Sequence, residues 1–546
     1  MSFTLLIEGE QKIYDAPVRL LDIMPKGEHK YYAARVDRRV RPLTYEVNHD
    51  AIVTWVDLSD RETCQFYENS LRYLICMAFY RLYPKTKIRL SYNVSRSIFL
   101  EILDKSIPVN SKLVEEIKAE MEKIVKADYP IELKRCSKDE IKKIYEGEGY
   151  EDKIEILPYR PEEKCHYHEC DGYKNYMYGA LMPSTGFIEK WQMRLYLPGI
   201  LFQYPRYETK GEIPVFEDAP TFGKVLKEMH IWGRIAGADS IAGINHHIEQ
   251  DGSTDFINMC EARHNKMLVE LGDQIEENID NIRLICIAGP SSSGKTTFSN
   301  RLRTELLSRG IKPIRISIDD YYLPRDKAPK DENGQPDLES IYALDIELFN
   351  QNMSDLISGL EVELPKFDFI LGRRVKGRKL KVGHDEPIII EGIHALNEEL
   401  THLIPKHQKY KIYIAPQAQI NIDNHNPLSL TDLRLLRRII RDNRTRNASA
   451  IDTIKMWPSV RMGEFKWIYD TQEGANFVFN SLLSYEISAM KKYAAPLLNN
   501  VDRNSEFYPM VERLIRTYKF FENIDDKFVP CNSLMREFIG GSCYEE

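Results

Sequence analysis

The sequence predicts an α/β chain, with a parallel sheet flanked by helices in the C-terminal half, a small β-rich module at the front and an α+β module between them. Three observations predict it. An apolar run of the kind buried on both faces, Ile282-Arg283-Leu284-Ile285-Cys286-Ile287-Ala288, turns at Gly289-Pro290 into a helical pattern from about Lys295 to Ser308 that ends at Gly310. Two later strand patterns, at residues 312–318 and 386–390, each stop at a carboxylate, Asp319 and Glu391. The first 60 or so residues instead alternate in short stretches, such as Ala51-Ile52-Val53-Thr54-Trp55-Val56, between Gly, Asp, Asn and Pro turn signals.

With 546 residues at roughly 150 per domain, three or four domains are expected. We place the boundaries at 1–60 (β-rich), 61–220 (α+β), 221–280 (an amphipathic helical connector), 281–500 (the strand-turn-helix unit and its sheet) and 501–546 (a helical tail). From Glu68 to Tyr83 the spacing of Leu71, Leu74, Ile75, Ala78, Phe79 and Leu82 predicts a helix. At 43% apolar and 29% charged residues the chain reads as globular rather than disordered. A net charge of -8 excludes a chain-wide clamp on a polyanion and leaves local basic patches open. Nine scattered cysteines, and an N-terminus without a basic leader, lead us to expect a cytoplasmic protein with no membrane span.

Gly289-Pro290-Ser291-Ser292-Ser293-Gly294-Lys295-Thr296 satisfies G-x-x-x-x-G-K-[ST], with a strand before it and a helix, opening at Lys295, Thr296 and Thr297, after it. Backbone N–H groups in such a loop converge on phosphate oxygens, Lys295 adds a charge toward the β- and γ-phosphates, and the Thr296 hydroxyl suits Mg²⁺. These are parts for a nucleoside triphosphate, so ATP and Mg²⁺ are expected. Residues just past the strand ends of an open parallel sheet face the ligand crevice. Asp319 is therefore the candidate base for an acceptor hydroxyl, with Asp320 in reserve, and Glu391 the candidate support for Mg²⁺.

Arg434, Arg437, Arg438, Arg441, Arg444 and Arg446 recur at helical spacing, and Arg441, Arg444 and Arg446 are expected to close over the phosphates. Charge runs of this kind also serve as solvated faces. Cys165-His166-Tyr167-His168-Glu169-Cys170 has zinc-ligand chemistry but not the spacing of a zinc ribbon, so we expect an ordinary loop there. Arg35, Arg38, Arg39 and Arg41 could meet RNA phosphates or form a solvated face.

Residues 281–500 resemble the uridine-cytidine kinases and their relatives the phosphoribulokinases. The shared elements are the phosphate loop, Asp319-x-Tyr321-Tyr322, Pro365-Lys366-Phe367-Asp368-Phe369, Ile390-Glu391-Gly392 and Asp432-x-Arg434-x-x-Arg437-Arg438. The resemblance implies a P-loop kinase fold and ATP-dependent phosphorylation of a nucleoside 5′-hydroxyl. It also implies Asp319 as base, with Tyr322, Asp345, Phe367, Phe369, Arg434 and Arg437 near the acceptor; separately, a homo-oligomer is expected. Two positions depart from that pattern: Tyr342 stands where the family has an Asp that grips the ribose diol, and Gly372, beside Arg373 and Arg374, where it has a base-reading His. Another sugar alcohol, or a phosphorylated sugar, is thus an alternative acceptor.

Residues 1 to about 205 resemble the β-grasp (TGS) and editing-like domains of threonyl-tRNA synthetases, through Ala33-Ala34-Arg35-Val36-Asp37, Tyr67-x-x-Ser70-Leu71 and Pro183-Ser184-Thr185-Gly186. The four positions of the editing centre fall on Asn69, Tyr73, Met177 and Leu181, so editing chemistry is expected to be absent. An RNA-binding regulator that uses ATP as a switch is the alternative this resemblance leaves open.

Overall fold

Strand Leu284–Ala288 is buried at every position, as its unbroken apolar run requires of the middle of a sheet covered on both faces. It pairs in parallel with Ile388–Glu391 on one side and Lys409–Ala415 on the other. Ile314–Ser317 and Phe477–Asn480 complete a five-stranded, all-parallel sheet. The register sets Glu391 level with both Ile287 and Ser317, which brings three strand ends to one edge of the sheet. Gly289 and Gly392 follow directly and Asp319 two residues on, so the crevice expected from the sequence lies along this edge. Apolar clusters cover the two faces, one around Ile285, Ile287 and Phe298, the other around Leu284, Cys286 and Tyr413. The computed structural model describes all residues except 1, 28, 29, 93, 163, 331–333, 335, 369, 370, 418, 419, 545 and 546.

The loop helix runs Lys295–Ser308, within the bounds expected of it. Helix Leu430–Arg446 carries the arginines, capped by Ser429, whose side chain accepts the Asp432 N–H. Helix Ala450–Trp467 follows, with a capping box between Ser449 and Asp452.

In front of this sheet, Phe3–Ile7, Glu10–Tyr14, Ala33–Val36, Arg39–Pro42 and Ala51–Val56 form a second five-stranded sheet. Helix Arg61–Leu82, capped by Asp60, is buried along most of its length against a four-stranded antiparallel sheet. A three-stranded sheet contains Cys165–Cys170, which corrects the expectation of a loop there. On a strand, Cys165 and Cys170 point to opposite faces and cannot share one ion. Among the described residues no group of three or more His, Cys, Asp or Glu is placed to hold a metal.

Along the chain, helices Pro220–Ile235, Ile241–His246 and Ser253–Glu276 come between the strands of the front sheets and those of the parallel sheet. Polar contacts tie the front to the back: Asn421 Nδ2 donates to the Leu90 carbonyl at 2.8 Å, and Lys153 pairs with Asp423 at 2.8 Å with both side chains buried. Past residue 501 the chain turns back, and Leu534, Met535, Phe538 and Ile539 enter the same apolar cluster as Ile285 and Ile287. No helix among the described residues is long and apolar enough to cross a membrane.

Candidate functional site

Gly289 begins the loop because nothing larger fits: a Cβ there would stand 1.9 Å from the Ile414 carbonyl oxygen. Ser292 and Gly294 take left-handed conformations, at φ 58° and 92°, and so wrap the chain into a cradle before the helix starts at Lys295. Among the described residues the buried hydroxyls of Ser292 and Ser293 have no hydrogen-bond partner, which suits a loop built to take an anion. Lys295 Nζ donates to the carbonyls of Gly289 and Pro290 at 3.0 and 3.3 Å, bridging the loop. Burial pushes its ammonium down from the ordinary value, against the opposing charges of Glu391, Asp319 and Glu537.

Thr296 Oγ1 donates to Glu391 Oε1 at 3.4 Å. Glu391 is buried, and burial, then the Asp319 charge, raises its carboxyl to about 7. Burial also raises Asp319, while Lys295, Arg446 and Arg441 pull it down. Two carboxylates and a hydroxyl beside a lysine make an all-oxygen donor set of the kind a hard divalent cation takes, with phosphate oxygens and water completing its shell. Asp320 is engaged elsewhere, its Oδ1 accepting the Phe367 N–H at 3.2 Å.

The arginine helix divides its charges between two tasks. Arg434 Nε donates to the Ser291 carbonyl at 3.0 Å and pairs with Glu464. Arg437, fully buried, holds both oxygens of Glu486 and donates to the carbonyls of Ser292 and Ser481 at 3.2 and 2.9 Å. Arg438 Nη1 donates to Ser291 Oγ at 2.8 Å. These arginines brace the phosphate loop, so the expectation that Arg434 and Arg437 face the acceptor is corrected: their donors are committed to buried carboxylates and loop carbonyls. One turn further along, Arg441 and Arg446 pair with Asp442 at 2.9 and 3.5 Å. Arg444 donates to the carbonyls of Glu537 and Phe538 at 2.8 and 3.4 Å.

On the acceptor side, Asp345 caps helix Ile346–Ile357 through the Leu348 N–H at 3.1 Å and pairs with Arg374 at 3.0 Å. Tyr322 OH donates to the Leu338 carbonyl at 3.1 Å, and its ring lies 5.9 Å from that of Phe367. Phe369 lies outside the described residues. Gly372 turns the hairpin Val362–Asp368/Arg373–Leu380 at φ 63°. Tyr342 is 53% exposed, with its ring edge-on to Trp467.

Two participants escaped the sequence reading. Glu464, from helix Ala450–Trp467, accepts the Ser291 N–H at 3.1 Å. Glu537, near the chain's end, accepts the Thr297 N–H at 3.2 Å. Nothing in their local patterns marks either. In the front sheet Arg35 pairs with Asp60 at 3.1 Å, Arg41 lies 4.7 Å over the Tyr45 ring and Arg39 5.5 Å over that of Tyr508, so internal partners occupy most of that cluster.

Comparison with known proteins agrees with this geometry. Residues 284–488 match the family described as the Phosphoribulokinase / Uridine kinase family. A uridine kinase of Staphylococcus carnosus is 32% identical over 178 residues, 32% of this chain and 76% of that protein. A threonine–tRNA ligase of Thermotoga neapolitana is 26% identical over 196 residues of the N-terminal region, 35% of this chain but only 30% of the ligase's length. A solved structure titled as a possible uridine kinase from Bacillus stearothermophilus covers 38% of this chain and 99% of its own at 19% identity and a TM-score of 0.26, too distant to add weight. On the phosphate loop, the strand-end carboxylates and the match across most of the length of a uridine kinase, the chain belongs to the phosphoribulokinase/uridine kinase family.

Proposed function

We propose that this protein is an ATP-dependent nucleoside kinase that phosphorylates the 5′-hydroxyl of uridine, cytidine or a close relative. The observation that carries the reading is the placement of Asp319, whose carboxyl is raised by burial yet held in the field of Lys295, Arg441 and Arg446. A carboxylate so placed can take the acceptor's proton as its oxygen approaches the γ-phosphoryl group. The loop amides and Lys295 hold the β- and γ-phosphates, and Arg441 and Arg446 offset charge on the transferring group. Thr296 and Glu391 would hold Mg²⁺, which supplies charge neutralisation between the phosphates. Tyr322, Phe367 and Asp345 are the residues of the acceptor wall.

In the same reading, residues 281–500 are the kinase domain, 1–60 a β-grasp module and 61–220 an editing-like module without editing chemistry, with 221–280 as connector and 501–546 as tail. We place the enzyme in the cytoplasm as a homo-oligomer. A panel of nucleosides and polyols with magnesium-ATP, read by ADP release, tests the acceptor. Uridine or cytidine turnover supports the reading, and turnover of a polyol alone replaces it with a sugar-alcohol kinase. The exposed Tyr342, together with the pairing of Asp345 to Arg374, favours that second reading.

A further inference from the structure

The end of the chain lies against the parts assigned above to the triphosphate. A Cβ placed on Gly294 would stand 2.6 Å from Leu534 Cδ2, so Leu534 rests on the phosphate loop itself. Glu537 Oε2 takes the N–H of Thr297, in the first turn of the loop helix. Arg444 is held by the carbonyls of Glu537 and Phe538. A loop glycine, a helix N-terminal amide and a lid guanidinium, all suited to phosphate, are thus in use by residues 534–538. The charge of Glu537 also reaches further into the site, where it acts on Lys295 and Glu391.

The segment is firmly built. Ser533 Oγ donates to Glu261 Oε1 at 2.5 Å and lies 3.1 Å from Tyr485 OH. Arg536 Nη2 donates to the carbonyls of Asp526 and Val529 at 2.8 and 2.6 Å. Met535 and Phe538 are fully buried, whereas Glu537 is only half-buried. Its carboxylate can therefore swing away first, and the segment around it loosens once Arg444 leaves the Glu537 and Phe538 carbonyls.

We propose that the C-terminal segment is a built-in competitor of the nucleotide, with the Glu537 carboxylate holding the amide that a phosphate oxygen would otherwise take. Triphosphate binding then has to displace this side chain and release Arg444. A single N–H cannot serve both anions, and their mutual repulsion in a partly buried site opposes joint occupancy. A segment that merely walls the pocket would instead aid binding, so the two roles differ in sign. The proposal rests on the phosphate loop being a nucleotide site.

The test is calorimetric titration of magnesium-ATP into the full chain and into Glu537→Gln, which keeps the shape and removes the charge. Binding about tenfold tighter in the variant is expected, the scale of one charge-assisted hydrogen bond. Hydrogen exchange supplies a second readout: amides in residues 526–541 should exchange faster in the full chain once nucleotide is added. Equal or weaker binding by Glu537→Gln, with exchange unmoved by nucleotide, overturns the proposal. If neither protein binds magnesium-ATP, the phosphate-loop reading itself fails and the proposal falls with it, a result distinct from binding that is present but unchanged.

Discussion

Arg437 grips both carboxylate oxygens of Glu486 across two helices, with its Nε 3.0 Å from Oε1, and neither side chain reaches solvent. The same guanidinium holds the Ser292 and Ser481 carbonyls, so one residue joins the phosphate loop to the end of strand Phe477–Asn480. Arg437→Ala strands a buried carboxylate and should cost about 3–5 kcal/mol of stability. Arg437→Lys cannot reproduce the two-pronged contact and should recover less than half of that loss. Urea denaturation of both variants measures this, and near-wild-type stability in Arg437→Ala would remove Arg437 from its bracing role.

Asp319→Asn keeps the size of the side chain and abolishes its basicity. Phosphoryl transfer should fall by about 100-fold or more, while magnesium-ATP affinity changes little. Single-turnover kinetics beside calorimetric binding separate the two. Undiminished transfer would move the base elsewhere.

On the proposed reading, in which the Arg441 charge serves the transferring group rather than the resting nucleotide, Arg441→Ala should lower kcat by about 100-fold with a smaller change in KM. Arg438→Ala differs. It loses the contact of its Nη1 with Ser291 Oγ at 2.8 Å and should show first as a weakened nucleotide complex. Steady-state kinetics over a range of ATP concentrations distinguish these outcomes.

Glu391 carries a pH signature. Burial and the Asp319 charge raise its carboxyl to about 7 in the folded chain, against about 4.3 when unfolded. The folded state holds the proton more tightly, so this group's stabilisation is complete below about pH 4 and is lost as pH rises through about 7. In the nucleotide-free protein, Glu391→Gln should flatten the fall in stability over that range by up to about 1.4 kcal/mol per pH unit. Denaturation midpoints at a series of pH values check the slope, and an unchanged slope would show that Glu391 does not titrate there.

The strand Leu284–Ala288, the loop Gly289–Thr296 and the helix Lys295–Ser308 were legible because their signals are local. A fully apolar run has one stable place in a covered sheet, and a glycine loop in strand-to-helix context has few other uses. The arginine stripe was legible as a helix but not as a division of labour. Arg434 and Arg437 share their face with Arg441, and only the positions of Glu464 and Glu486 show which guanidiniums are committed. The Cys165–Cys170 segment is a strand because it pairs with Glu132–Cys136 and Tyr173–Asn175, and its own residues, buried without strict alternation, do not announce that pairing.

By itself, the sequence determined the kinase family, the phosphate loop, and the carboxylates at the strand ends, since each is written in adjacent residues whose backbone conformation follows from their own chemistry. Only the tertiary structure decided that Glu464 and Glu537 hold the Ser291 and Thr297 amides, and that Leu534 rests on Gly294 of the phosphate loop. Contacts 173 and 240 residues apart leave no periodic trace in the chain. They arise only when burial of Leu534, Met535 and Phe538 in the common apolar cluster, with Phe538 under Arg437 of the arginine helix, carries the tail back to the loop.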